Sequence, residues 1–164
     1  MVLPAMPTTF HLYDTTLRDG AQQEGLRLSV SDKLRIARVL DEWGVGFIEG
    51  GWPGANPTDT AFFAAAAAGD LPLRHATLAA FGSTRRVGGR AESDPLTRAL
   101  LDARTEVVCL VAKSHDEHVL RALRTDLAEN LAMIAAAFAF LTAEGRRAFV
   151  GAEHLFDGSR ANPS

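Results

Sequence analysis

The chain has 164 residues and a formal net charge of −3, so it is the size of one domain and carries no excess of basic charge that would favour nucleic acid or an anionic membrane. Its single cysteine, Cys109, excludes an internal disulfide framework and is typical of a reducing cytoplasm. Residues 1–9 lack the charged n-region and the apolar core of a signal peptide, and the apolar stretch 131–141 is too short to span a bilayer. We therefore expect a soluble, cytoplasmic protein.

Short apolar runs alternate with longer helical patterns along the chain. The apolar runs predict strands over 10–13, 45–48, 73–81, 106–111 and 147–152. The helical patterns predict helices over 30–43, 58–68, 95–103, 116–123 and 127–144. The first helix should begin after Ser29, which forms a capping box with Asp32, and end before Gly44.

This alternation predicts an α/β fold with a parallel sheet. The pattern leaves two architectures open, a doubly wound sheet and a (β/α)8 barrel. A complete barrel takes about 250 residues, so the chain is long enough for about five of its eight βα units, a partial TIM barrel.

Polar residues follow each predicted strand at its carboxyl end, where the working groups of α/β folds lie. Each strand thus delivers an ionisable or hydroxyl group to the same edge of the sheet, which suggests a polar site. In chain order these groups are Asp14 to Gln23, Glu49, the segment 81–86, Lys113 to Asp116, and Glu153 with His154.

The first of these segments is the most specific. Asp14-Thr15-Thr16-Leu17-Arg18-Asp19-Gly20-Ala21-Gln22 resembles the opening signature of the pyruvate-carboxylase-like and isopropylmalate-synthase-like metalloenzymes. Further segments, in the same order, are similar to the citramalate branch of the isopropylmalate, homocitrate and citramalate synthase family: 47–57, 80–86, 113–114, 118–119, 151–158 and 161–163. The resemblance covers nearly the whole chain.

This resemblance implies a TIM-type barrel and a Claisen-type condensation of acetyl-CoA with a 2-oxoacid, which is pyruvate in the citramalate branch. It also implies a role in branched-chain amino-acid biosynthesis and a homodimeric complete enzyme. The cofactor would be a divalent cation, Mg2+ or Mn2+ with Zn2+ as an alternative, because the carboxylate and ketone of a 2-oxoacid can chelate such an ion.

The resemblance also assigns roles to individual residues. Asp19 corresponds to the metal-binding aspartate, and Arg18 to the arginine that holds substrate oxygens and stabilises developing negative charge. Glu153 corresponds to a glutamate implicated in substrate binding or proton transfer, and Gln22 to a hydrogen-bond donor near the substrate. Glu49 can orient Arg18 or a metal-bound water, or can cap nearby backbone N–H groups.

Three residues after the third and fourth strands are candidates for contact with the substrate or the coenzyme A phosphates: Ser83, Arg86 and Lys113. Ordinary solvated side chains are the alternative for each of them. The histidines at 115, 118 and 154 have no recognisable metal-ligand spacing.

The family completes its metal site with a His-x-His pair on a later strand, and this sequence contains no such pair. We therefore expect residues 1–164 to be the N-terminal part of a catalytic barrel domain, with open sheet edges and no activity of its own. The alternatives are an isopropylmalate or homocitrate synthase, a lyase of the same superfamily, and a non-catalytic half barrel that associates with a partner.

Overall fold

A computed structural model describes residues 10–163; residues 1–9, for which the sequence predicts only the absence of a signal peptide, lie outside the described part. The strands are Tyr13–Asp14 (β1), Phe47–Glu49 (β2), Thr77–Ser83 (β3), Val107–Lys113 (β4) and Arg147–Glu153 (β5). The α-helices are Val30–Glu42 (α1), Pro57–Ala65 (α2), Pro95–Asp102 (α3), Asp116–His118 (α4), Leu127–Ala143 (α5) and Leu155–Ala161 (α6). Short 3-10 or π turns occupy Gly20–Gln22, Ala66–Asp70, Ala91–Ser93 and Val119–Leu123.

The five strands form one parallel sheet whose spatial order, β1-β2-β3-β4-β5, is the order of the chain. A doubly wound sheet reverses its strand order at a switch point, and this sheet does not. The structure therefore confirms the partial barrel: five strands form a half barrel, and all of their carboxyl ends lie at one edge.

The main core lies between the sheet and its helices. Alternate residues of the inner strands, such as Ile48, Ala80 and Val108, are fully buried there against Phe62 of α2 and the other helices. The residues that lie between these along each strand face the opposite side of the sheet, as the two-residue period of a strand requires.

That opposite side is the inner surface of the half barrel, and it is aromatic. The rings of Phe47 and Phe149 meet edge to face at 5.2 Å, and Tyr13 lies about 6 Å from both. Arg147 places its guanidinium over both phenylalanine rings, at 5.5 and 4.9 Å. These contacts join β1, β2 and β5 across the concave surface.

The helix starts follow the sequence closely. Ser29 caps α1, and the capping box with Asp32 is present. Asp94 caps α3, which has Pro95 in its first turn. Trp43, the last residue of the predicted first helix, lies just after the end of α1 and is 76% exposed.

Two strands begin three or more residues later than the sequence predicts. Ladder pairing of β1 begins at Tyr13, and Phe10 is 85% exposed. The strand β3 begins at Thr77 rather than at 73, because the carboxylate of Asp41 accepts the backbone N–H groups of residues 74–76 at 2.9, 2.8 and 2.7 Å. Those N–H groups are therefore not available to a neighbouring strand.

Candidate active site

The turn after β1 is built around one carbonyl. The oxygen of Thr15 accepts the backbone N–H groups of residues 18, 19 and 20 at 3.1, 2.9 and 3.1 Å. Leu17 is fully buried and fixes this turn to the core. The two residues that follow it, Arg18 and Asp19, are therefore presented at the carboxyl edge of the sheet, as the sequence predicts.

Arg18 is bound by a buried carboxylate of the neighbouring strand. Its Nε donates to Oε1 of Glu49 at 2.5 Å, and the other carboxylate oxygen of Glu49 accepts the hydroxyl of Tyr13 at 2.6 Å. Glu49 is only 1% exposed, and the guanidinium of Arg18 lies over the ring of Phe81, 4.0 Å from its centroid. The prediction that Glu49 orients Arg18 therefore agrees with this geometry, whereas within residues 10–163 no backbone N–H donates to its carboxylate.

Tyr13 adds a donor that the sequence analysis does not single out. Burial raises the pKa of Tyr13, and its hydrogen bond to Glu49 raises it further, so the phenol stays protonated and donates. Its only signal in the sequence is its position just before the opening motif. The pair it forms with Glu49 spans 36 residues.

The same guanidinium reaches a second, exposed carboxylate. Nη1 of Arg18 donates to Oδ1 of Asp19 at 2.9 Å, and the side chain of Asp19 is 62% exposed against 19% for Arg18. Arg18 thus connects a buried acid to a solvent-exposed one. An exposed carboxylate next to a fixed guanidinium is an arrangement that can receive a cation and an anionic ligand together.

An open cavity of about 410 Å³ lies beside this group, on the inner surface of the half barrel. Its charged side carries Arg18 and Glu49, while most of its other walls are apolar. Burial raises the pKa of the Cys109 thiol in this cavity to about 11, so the thiol is not a ready nucleophile. The cavity is lined by Tyr13, Thr15, Arg18, Glu49, Phe81, Cys109, Phe149, Val150 and Gly151.

Gln22 lies in a second, smaller hollow of about 200 Å³ that also touches Arg18. Trp52 and Asp59 line the same hollow. Gln22 is exposed, so it can reach a ligand on this side of Arg18 but does not line the larger cavity.

Lys113 and Glu153 are partners in register at the ends of β4 and β5, and their side chains form an ion pair. The hydrogen bond from Lys113 lowers the pKa of Glu153, and this outweighs the opposing effect of desolvation. The nearby His154 and His118 lower it further. In this arrangement Glu153 is a charged carboxylate and a weak base.

The loop after β3 separates its two arginines. Arg86 is exposed, with its Nε 3.9 Å from Asp94, and Ser83 ends the strand half-buried. Arg85 is buried and binds Glu129 of α5 at 2.7 Å. The sequence assigns no role to Arg85, and its contact spans 44 residues, so no local pattern predicts it.

The histidines after β4 and β5 lie together. The rings of His115 and His118 stack at 5.0 Å, and His154 meets His118 edge to face at 4.5 Å. Nδ1 of His115 accepts the backbone N–H of Glu117 at the start of α4. In the described part of the chain, no group of three or more histidine, cysteine or acidic side chains is arranged to hold a metal ion.

Among residues 10–163 no single helix is long and apolar enough to cross a membrane. One bent pair, Asp116–Leu123 with Leu127–Ala143, passes by length and composition only, with an 85° break between its halves.

Comparison with known proteins gives a consistent result. The family model described as HMGL-like matches residues 9–162. The chain is 63% identical to an (R)-citramalate synthase from Streptomyces coelicolor over 155 residues, which cover 94% of this chain and 29% of that protein. It is 55% identical to an (R)-citramalate synthase from Synechocystis sp., with 95% and 28% covered. A 2-isopropylmalate synthase from Streptococcus gallolyticus is 32% identical, with 70% and 21% covered. The chain thus spans less than a third of the length of these curated relatives.

Solved structures match at the level of the fold. A hydroxymethylglutaryl-CoA lyase from Pseudomonas aeruginosa superposes with a TM-score of 0.64 at 20% identity, covering 85% of this chain and 44% of the other. An HMG-CoA lyase from Acenitobacter baumannii, solved with coenzyme A and 3-methylmalate, gives 0.60 at 17% identity, with the same coverage.

Proposed function

Since this chain belongs to the HMGL-like family, we propose that it forms the first part of a synthase that condenses acetyl-CoA with pyruvate to give citramalate. The observation that carries the proposal is Arg18, held by buried Glu49 and paired with exposed Asp19 at the mouth of a cavity. Pyruvate is favoured over a larger 2-oxoacid because the identity is 63% to a citramalate synthase and 32% to an isopropylmalate synthase.

Arg18 would bind the oxygens of the 2-oxoacid. One N–H on Nε and one on Nη1 are engaged by Glu49 and Asp19, so further donors of the guanidinium can face a ligand. Because Glu49 and Tyr13 fix the guanidinium before the substrate arrives, its charge is already oriented toward the alkoxide that forms on attack.

Asp19 is the residue that would hold a divalent cation. Its carboxylate is a hard oxygen donor and is largely exposed, which suits Mg2+ or Mn2+, ions that take one or two carboxylates and complete their shell with water and substrate oxygens. When bound, the cation polarises the ketone of the substrate. The chemistry of this donor therefore fits the proposed cofactor.

Glu153 is proposed as the acidic group on the other side of the opening, with Lys113 as its partner. Because Lys113 lowers the pKa of Glu153, proton abstraction from the acetyl group requires this ion pair to separate when the substrates bind. Gln22, Ser83 and Arg86 are proposed to contact the acyl or coenzyme A part. A cytoplasmic location and a homodimer remain predictions.

A thiol-release assay tests the proposal. The protein expressed from its complete reading frame is given acetyl-CoA, Mg2+ or Mn2+, and one of a panel of 2-oxoacids that includes pyruvate, 2-oxobutyrate and 2-oxoisovalerate. We expect release of free coenzyme A with pyruvate as the best substrate, and none from residues 1–164 expressed alone. Preference for a larger 2-oxoacid would reassign the substrate, and no release with any of them would refute the synthase.

A further inference from the structure

A second buried charge pair lies behind the candidate active site, between two helices. Nζ of Lys33 on α1 binds Oδ1 of Asp59 on α2, and the two residues are 1% and 8% exposed. A lysine in the core is costly unless its charge is paired, and an apolar pair of the same volume often packs at least as well. The pair therefore calls for an explanation other than stability.

The second oxygen of Asp59 points at the turn that follows β2. Oδ2 accepts the backbone N–H of Trp52 at 2.8 Å. The carboxylate occupies the space in which Gly51, at φ 141°, would carry a Cβ, so only glycine fits there. Asp59 thus fixes the segment that begins two residues after Glu49.

The contact continues from Trp52 to Arg18. The ring of Trp52 meets Phe81 edge to face, with 5.3 Å between centroids, and Phe81 supports the guanidinium of Arg18 from 4.0 Å. Asp59 therefore touches a segment that carries one support of Arg18 and contacts the other. The first support is the carboxylate of Glu49, and the second is the Phe81 ring, reached through Trp52.

We propose that Lys33 and Asp59 are a positioning pair that fixes the orientation of Arg18 toward the 2-oxoacid. The pair acts through the turn 50–52 and through Phe81 and does not line the larger cavity. This inference rests on the proposed function for its kinetic consequence. The orientation of Arg18 itself is a property of the protein without substrate.

The test uses a variant that should still fold. Lys33→Met with Asp59→Leu removes both charges together and keeps the branched shape of the aspartate, but it leaves the N–H of Trp52 unpaired, so we expect a folded protein with a lowered unfolding midpoint. Asp59→Asn is the single change. The matched control is Asp41→Asn, the same chemical change at a buried carboxylate on the opposite edge of the sheet.

In the protein from the complete reading frame, we expect both Asp59 variants to raise the KM for the 2-oxoacid by about 10- to 100-fold, as for other residues that orient a ligand-binding group. The KM for acetyl-CoA should change by less than about twofold, because the proposed ligand of Arg18 is the 2-oxoacid. Asp41→Asn should alter neither constant. A loss of folded protein lowers kcat but does not move the KM, so the KM separates positioning from a structural role.

A second measurement needs no turnover. The Nε–H of Arg18, assigned by its loss in Arg18→Lys, should exchange slowly with water in the unaltered protein because it is bound to Glu49. Exchange should be faster in both Asp59 variants and unchanged in Asp41→Asn. An inactive unaltered protein would refute the proposed synthase function. The exchange rates would still show whether Lys33 and Asp59 position Arg18. A double variant with the original KM and slow exchange would overturn the inference.

Discussion

Two buried carboxylates at opposite edges of the sheet show that similar groups can have different roles. Glu49 at the carboxyl edge is 1% exposed, and its acceptors bind two side chains, Arg18 and Tyr13, that line the cavity. Asp41 at the amino edge is 5% exposed, and it binds three backbone N–H groups instead. Burial therefore does not distinguish a carboxylate that orients side chains of the cavity from one that stabilises the fold. The donors that bind to the carboxylate, side chains in one case and backbone N–H groups in the other, do distinguish them.

Removal of the exposed acid at the carboxyl edge should have the largest effect on catalysis. Asp19→Ala deletes the proposed metal ligand, so we expect turnover by the complete protein to fall by about 10³-fold or more. The unfolding midpoint should barely change, because an exposed ion pair contributes at most about 1 kcal/mol. Thiol release and thermal unfolding measure the two effects, and normal activity in this variant would remove Asp19 from the site.

A smaller effect is expected when the buried acid beneath Arg18 is neutralised. Glu49→Gln keeps the shape of the side chain but replaces one acceptor oxygen by a donor, so Arg18 or Tyr13 loses its partner. We expect kcat/KM for the 2-oxoacid to fall by about 10- to 100-fold. Steady-state kinetics of Glu49→Gln and Asp41→Asn, measured side by side, test the comparison. An equal loss of kcat/KM in both variants would show that the two carboxylates do not differ in role.

The smallest catalytic effect is expected at the amino edge, where the change should appear in stability. Although burial acts to raise it, the three backbone hydrogen bonds hold the pKa of Asp41 below its usual range. Its stabilising contribution is therefore present above the unfolded pKa of about 3.9 and is lost as the pH falls through the lower, folded value. At pH 7 we expect Asp41→Asn to lose about 1–3 kcal/mol of unfolding free energy, because a buried donor is left unpaired.

Urea unfolding of both proteins between pH 7 and pH 3 measures this dependence. The difference between them should shrink as the pH falls below about 4, because the aspartate becomes protonated in the unfolded state while the folded state still keeps it charged. A difference that stays constant over that range would contradict the assignment of the stabilisation to the charged carboxylate.

Local signals in the sequence predicted the elements well. The capping box at Ser29 depends on residues three apart, and the strands are continuous apolar runs, so both can be read from short windows. The helix α6 was missed because Gly158 interrupts its pattern. In the structure that glycine allows the helix to approach the backbone of Ser114, where a Cβ would overlap the carbonyl.

The sequence predicted which groups lie at the carboxyl edge and that Glu49 can orient Arg18, but it did not predict the bond from Tyr13 or the pair of Lys33 with Asp59. The resemblance of the opening motif identified Arg18 and Asp19, which are neighbours in sequence. The bonds from Glu49 to Arg18 and to Tyr13 span 31 and 36 residues, and the buried Lys33 looks like any other polar position of an amphipathic helix. Such pairs are set by the packing of the sheet, which no short pattern encodes.

The agreement between chain order and sheet order has a consequence for how the protein is made. Each strand pairs with the one translated just before it, so every new strand leaves the ribosome with its neighbour already synthesised. Loop closure between successive units is short, and the costly pairing of distant segments is avoided within this half of the barrel. Assembly can therefore proceed from β1 to β5 at the pace of translation.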